Sequence, residues 1–155
     1  MATKVDPGTP GWQQRHVKLY LKTDGAEGHV LDFGRPGVPK VNCLLLQTVG
    51  RKSGTPKTTP LIYGKDGDGF VVVASKGGAP DHPAWFLNLR DTPEVRFQVV
   101  DKKYRGVARI MAGAERERLF LMMVGLFPSY NDYQAKTARE IPVVVLEPQE
   151  EVDRL

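Results

Sequence analysis

The sequence predicts an α+β fold: a small β-barrel or rolled sheet of about six short strands, dressed by helices. Three observations carry it. Between residues 41 and 111 short apolar segments alternate with turn residues, the mark of antiparallel strands. Helical periodicity appears before this region and, later, inserted among or after its strands. There is no βαβ alternation, which disfavours a dinucleotide-binding doubly wound sheet.

From Trp12 to Thr23, the positions Trp12, His16, Leu19 and Tyr20 recur at helical spacing, with Arg15, Lys18 and Lys22 filling much of the remaining surface. This predicts a basic amphipathic helix ending near Gly25 and packed on the domain; contact with an anionic membrane surface is the alternative use of its cations. A Gly/Pro-rich connection over 34–39 leads to strands expected at 41–49, 58–64 and 70–75. Asp66-Gly67-Asp68-Gly69 is the expected hairpin turn between the second and third, since glycine supplies the positive φ such turns need. Pro83 to Arg90 reads as a short helix, capped by Asp81 or His82, with Pro83 in the first turn where a missing N–H costs nothing.

Strands over 94–100 and 103–111 then form a second hairpin around Asp101-Lys102. A helix from Ala114 to about Leu126 is expected to bury Leu119, Met122, Met123 and Leu126. Pro128 restarts the chain into a shorter helical turn, and Ile141 to Leu146 is the closing strand. The expected organisation is a helix and connection over 1–40 and the barrel over 41–155, a single domain overall, as 155 residues suggest.

Composition narrows the function classes. Apolar residues make up 41% and charged residues 26%, so the chain should fold alone. The formal charge of +4, from 22 Lys plus Arg against 18 Asp plus Glu, favours anionic partners without naming one. Cys43 is the single cysteine and lies in an apolar strand, so no internal disulfide or thiolate metal cluster is expected. His16, His29 and His82 are dispersed without acidic companions at ligand spacing, so no metal site is expected either. No signal-peptide core is visible and no apolar run approaches the roughly 18 residues a membrane span needs, so a cytoplasmic protein is expected.

Lys52-Ser53 invites a phosphate-loop reading, but that pattern requires glycines at 46 and 51, where the chain has Leu46 and Arg51. No Gly-x-Ser-x-Gly elbow is present. What remains is polar groups at strand ends: Arg51, Lys52 and Ser53 after one strand, Lys57, Thr58 and Thr59 at the next, Ser75, Lys76, Gly77 and Gly78 after the third. Short connections would gather them at one end of the sheet as an anion cradle, although solvated surface cations would look the same. Nucleic acid is the competing ligand, but the aromatics lie mainly in predicted helices rather than on strand faces between cations, so no nucleic-acid partner is expected. Tyr130 and Tyr133 are three apart, which in a helical turn presents two phenols to one cavity or packs both as half-buried residues.

The stretches LLLQTVGRKSGTPKTTPL, VVVASKGGAPDHPAWFLNL and FPSYNDY, in this order within roughly 41–146, resemble the deazaflavin-dependent nitroreductase family, actinobacterial proteins that bind coenzyme F420. The resemblance implies a split β-barrel, the FMN-binding, flavin-reductase-like architecture with flanking helices. It also implies a coenzyme whose flavin-like ring is joined through ribityl and phospholactyl groups to an oligoglutamate tail. On this resemblance Arg51, Lys52 and Ser53 stand beside the coenzyme's anionic portion, and Lys57, Thr58, Thr59, Pro60, Leu61 and Ile62 line its course. Val73, Ala74, Ser75 and Lys76, with Ala84, Trp85, Phe86, Leu87 and Asn88, border the deazaflavin ring, and Tyr130 closes the pocket. Lys57 stands where an arginine is also seen, so a bidentate contact would be lost.

The implied activity is hydride transfer from reduced F420 to an electrophilic acceptor such as a quinone, enone or nitroaromatic, followed by a proton from solvent, Tyr130, Tyr133 or Ser75. Some relatives carry a third tyrosine where this chain has Phe127, which donates no hydrogen bond. Activation of bulky bicyclic nitroimidazoles thereby loses a donor, while quinone and enone reduction stay open. The alternatives are a non-catalytic carrier of F420 and a barrel that binds FMN instead. The expected partner is a small-molecule electron acceptor, the expected oligomeric state a monomer, and peripheral contact with the plasma membrane would run through the N-terminal helix.

Overall fold

In the computed structural model, which describes residues 2–155, the apolar run of strand β3 (Val41–Val49) is buried on both faces, as Leu44, Leu45 and Leu46 show. That double burial explains a continuous rather than alternating pattern. β3 pairs antiparallel with β2 (Val30–Asp32) at its start, with β4 (Pro56–Ile62) along its length, and with β7 (Glu94–Val99) near its centre. From β7 the sheet continues through β8 (Lys102–Ile110) and β9 (Val143–Val152) to β6 (Gly69–Val73) and β5 (Gly64–Asp66).

Only Tyr63 separates β4 from β5. The strand expected at 58–64 is therefore one bent strand, whose first part pairs with β3 and whose last part pairs with β6. This bend links the two sides of the sheet and gives a barrel of six, counting β4 and β5 together. Two further short strands, β1 (Thr3–Lys4) and β2, extend the sheet beyond β3. They were not foreseen, because two and three residues carry no periodic signal.

All six barrel strands contribute to one apolar interior, which includes Leu44, Leu46, Val72, Phe97, Ala108 and Leu146, plugged by Phe86 and Leu89 of helix α2 (Ala84–Asp91). The opposite strand faces, among them Cys43, Val71, Val73 and Val145, pack under helix α3 (Gly113–Leu126) and helix α4 (Ser129–Lys136). Helix α1 (Trp12–Thr23) lies where the sequence placed it and buries His16 and Tyr20.

Four local expectations are corrected. Pro83 itself is the N-cap of α2, because Asp81 is engaged by Lys76 at 2.8 Å and His82 by Arg139 at 3.0 Å. The second hairpin turns at Val100-Asp101, one residue early, since Val99 pairs with Lys102. The buried stripe of α3 is Arg116, Leu119, Phe120 and Met123, while Leu126 is 45% exposed and Met122 only half-buried. Its phase is set by Arg116, which goes inside because its guanidinium donates to the Ile141 carbonyl at 2.6 and 3.2 Å. The closing strand also outruns its expected end, since its Glu-rich half pairs with β8 as far as Lys103 and Val152 yet carries no apolar alternation.

Candidate active site

The loop joining β3 to β4 is tied across its neck. The Gly50 N–H donates to the Thr55 carbonyl at 2.8 Å, and the Gly54 N–H to the Gly50 carbonyl at 2.7 Å. A side chain at Gly50 would stand 2.6 Å from the Ser53 hydroxyl and 3.2 Å from the Thr55 carbonyl, so it would displace Ser53 and crowd the neck of the loop. Asn88 of α2 staples the loop from behind: its Oδ1 accepts the Arg51 N–H at 3.0 Å, and its Nδ2 donates to Thr48 at 3.1 Å. The amide is thus committed to ordering the loop.

Fixed in this way, the loop presents Arg51, Lys52 and Lys57, which are exposed and form no ion pair among the described residues. With Ser53, Thr59, Ala84, Trp85 and Asn88 they line a cavity of about 470 Å³ whose walls carry no acidic side chain. Three unpaired cations without a carboxylate make a receptor for phosphate or carboxylate groups.

A second cavity of about 530 Å³ is bounded by Thr59, Pro60, Leu61 and Ile62 of β4, by Val73, Ser75 and Lys76, by Ala84 and Trp85, and by Tyr130 and Tyr133. Thr59, Ala84 and Trp85 belong to both cavities, which are therefore two lobes of one cleft. The aromatic wall is completed by Phe127, whose ring meets that of Tyr130 edge-on at 5.0 Å. Lys76 faces this inner lobe and is paired with Asp81, so it stands apart from the other three cations. Thr58, Ala74, Phe86 and Leu87 line neither lobe. Phe86 is instead part of the barrel interior, and Ala74 is fully buried beside Pro142.

Tyr130 is 4% exposed, and its hydroxyl has no hydrogen-bond partner among the described residues. Burial, then the proximity of Cys43 and Tyr133, raises its pKa well above the ordinary phenol range, so it stays protonated. It is a donor without an acceptor in the wall of a cavity. Burial also pushes the Cys43 thiol up to about 12, which removes it as a nucleophile near neutrality.

The donor set fits coenzyme F420. One lobe offers cations for a phosphate and a carboxylate tail, and the other offers flat apolar walls with an unsatisfied phenol for a ring and its oxygens.

Sequence reasoning missed the contribution of the N-terminal region. Trp12, His16, Leu31, Phe33 and Arg35 also line the inner lobe. His16 is buried, with Nε2 2.8 Å from the Gly28 carbonyl, so Nε2 donates and Nδ1 is left as an unpartnered acceptor. Burial lowers its pKa, partly offset by that carbonyl, so the ring is neutral. The helical spacing of Trp12 and His16 was the only available signal, and it reads equally as packing.

The sequence model of the F420H(2)-dependent quinone reductase family matches residues 12–148. A Mycobacterium tuberculosis protein named as an F420H(2)-dependent quinone reductase is 37% identical over 147 residues, 87% of this chain and 95% of its own length. A solved structure described as an F420-H2 dependent reductase is 40% identical, with a TM-score of 0.64 over 68% of this chain and 93% of that one. Another, described as a domain-swapped dimer, is 38% identical, with a TM-score of 0.65 over 86% and 96% of the two chains. With a split barrel shared with these reductases and a family model that matches most of its length, the chain belongs to the F420H(2)-dependent quinone reductase family.

Proposed function

We propose that this protein reduces quinones with reduced F420, and that its two-lobed cleft divides the work. When bound, the reduced coenzyme supplies a hydride, two electrons and one proton. Arg51, Lys52 and Lys57 hold the phosphate and carboxylate groups, with Ser53 adding a hydroxyl beside them. Pro60, Leu61, Ile62, Val73 and Trp85 supply apolar walls that exclude water and keep the ring and the acceptor in contact. Tyr130 donates a hydrogen bond to an acceptor oxygen as negative charge gathers there. Because burial keeps this phenol protonated, its role is to stabilise charge, and the final proton reaches the product from solvent through Tyr133 or Ser75.

The observation that carries this reading is the pairing, within one cleft, of unpaired cations at one end with an unpartnered buried phenol at the other. Mixing the protein with reduced F420 and menadione should accelerate loss of the reduced-coenzyme absorbance. Absence of coenzyme binding at micromolar concentrations would reject the reading, and binding without turnover across a broad panel of acceptors would make the protein a carrier.

The chain is proposed to act as a monomer; molar mass by light scattering tests this against a domain-swapped dimer. Among the described residues no helix is long and apolar enough to cross a membrane. The outward face of α1 carries Arg15, Lys18, Leu21 and Lys22, all exposed, which supports peripheral contact with anionic lipid. Co-sedimentation with phosphatidylglycerol vesicles that is lost in Lys18→Glu/Lys22→Glu would support the contact, and no co-sedimentation of the unaltered protein would reject it.

A further inference from the structure

Arg139 lies on the connection between α4 and β9 and lines neither lobe of the cleft. Its guanidinium nevertheless reaches four acceptors behind the inner lobe. Nε donates to the Ala79 carbonyl at 2.9 Å, Nη2 to the Ser75 carbonyl at 2.8 Å, and Nη1 to the Ala74 carbonyl at 3.3 Å. Nη1 also lies 3.0 Å from Nδ1 of His82. A guanidinium can only donate, so Nδ1 is the acceptor and the His82 proton sits on Nε2.

The turn so gripped is unusual. Lys76, Gly77 and Gly78 have φ of 48°, 63° and 84°, a left-handed run that a lysine does not hold without outside support. Ser75, Lys76 and Gly77 face the inner lobe. Gly78 abuts α4, where a side chain on it would come within 2.7 Å of the Tyr133 carbonyl, so the turn packs directly on the tyrosine helix. The clamp is itself anchored. Gln134 donates to the Arg139 carbonyl at 2.8 Å, and its Oε1 accepts the Ile141 N–H at 2.9 Å and Nη2 of the buried Arg116 at 3.0 Å.

We propose that Arg139 is a positioning residue for the reaction: by gripping the Ser75–Ala79 turn and the His82 ring behind it, it fixes the part of the cavity wall, Ser75 to Gly77, against which ring and acceptor are seated, a role that rests on the coenzyme-binding reading of the cleft. Four neutral acceptors from one turn and one imidazole converge on a single planar fork. Released from it, the turn would carry Ser75 and Lys76 off the cavity wall.

The test compares the full chain with Arg139→Lys and Arg139→Gln. Coenzyme binding is followed by F420 fluorescence, turnover with menadione at saturating reduced coenzyme, folding by thermal melting, and His82 by NMR across pH. An ammonium cannot span four acceptors, so turnover of Arg139→Lys at saturation should fall about tenfold or more while a cooperative melt is retained. In Arg139→Gln the His82 midpoint should also rise, since burial, then Arg139 and Arg90, hold it down against Asp81. Unchanged kcat in Arg139→Lys overturns the positioning role and leaves the coenzyme reading intact, and this variant decides even if Arg139→Gln does not fold. Failure of the unaltered protein to bind F420 overturns that reading and this role with it.

Discussion

The hydroxyl of Tyr20, on α1, accepts the backbone N–H of Val100 at 2.8 Å and donates to the Cys43 carbonyl at 3.1 Å. Val100 has φ of 58°, a conformation unfavourable for a β-branched residue, at the turn between β7 and β8. The first helix therefore stabilises a strained turn on the barrel. Tyr20→Phe leaves the Val100 N–H without its acceptor and should lower unfolding free energy by about 1–3 kcal/mol in urea titration. A loss much below this range would mean that water replaces the phenol.

The cationic lobe makes a separable prediction. Lys52→Ala and Lys57→Ala should each weaken F420 binding by about 1 kcal/mol or more, with smaller effects at high salt. Both side chains are exposed and outside the core, so thermal stability should not follow. Wild-type affinity in the double variant would exclude this lobe as the anion site.

Tyr130→Phe keeps the ring packed against Phe127 and removes only the unpartnered hydroxyl. Turnover at saturating quinone should fall roughly ten- to a thousandfold, with coenzyme affinity nearly unchanged. Equal loss of binding and turnover would instead assign the phenol to the ground-state complex.

Stability should be highest between about pH 6.5 and 9, with the limits set by groups whose pKa shifts on folding. His16, His29 and His82 are all lowered, first by burial. The unfolded chain binds protons at these sites before the folded one, so stability is lost as pH falls below the ordinary histidine value. On the alkaline side, burial moves Cys43 from 9.0 to about 12, so the unfolded thiol ionises first and stability declines as pH rises above 9. Cys43→Val should flatten that alkaline decline in melts between pH 8.5 and 10; an unchanged slope would assign it elsewhere.

Much of this architecture was legible because residue patterns matched what packing required. β3, α1 and the Asp66–Gly69 turn have their expected bounds, since each combines clear periodicity with an unambiguous end signal. The bend at Tyr63 was not legible: nothing local distinguishes one strand from two when the change lies in which neighbour accepts the hydrogen bonds. Arg116 and Arg139 were missed for a related reason. Both look like surface cations until distant carbonyls converge on them. In the cleft, Arg51 and Lys52 stood out by their place at a strand end and Tyr130 by its spacing from Tyr133, and Trp85 through the family resemblance, whereas Phe33 and Arg35 sit in a loop with no pattern and reach the cavity only through tertiary placement.

The bend at Tyr63 has a further consequence. β4 is hydrogen-bonded to β3 alone, and its residues run along the cleft from Lys57 to Ile62, with Thr59 at the junction of the lobes. The seam of the barrel is thus also a wall of the cleft. A ligand moored along that strand, which bonds to β3 while its continuation β5 bonds to β6, would bridge the two sides of the ring and add its binding free energy to the closed barrel.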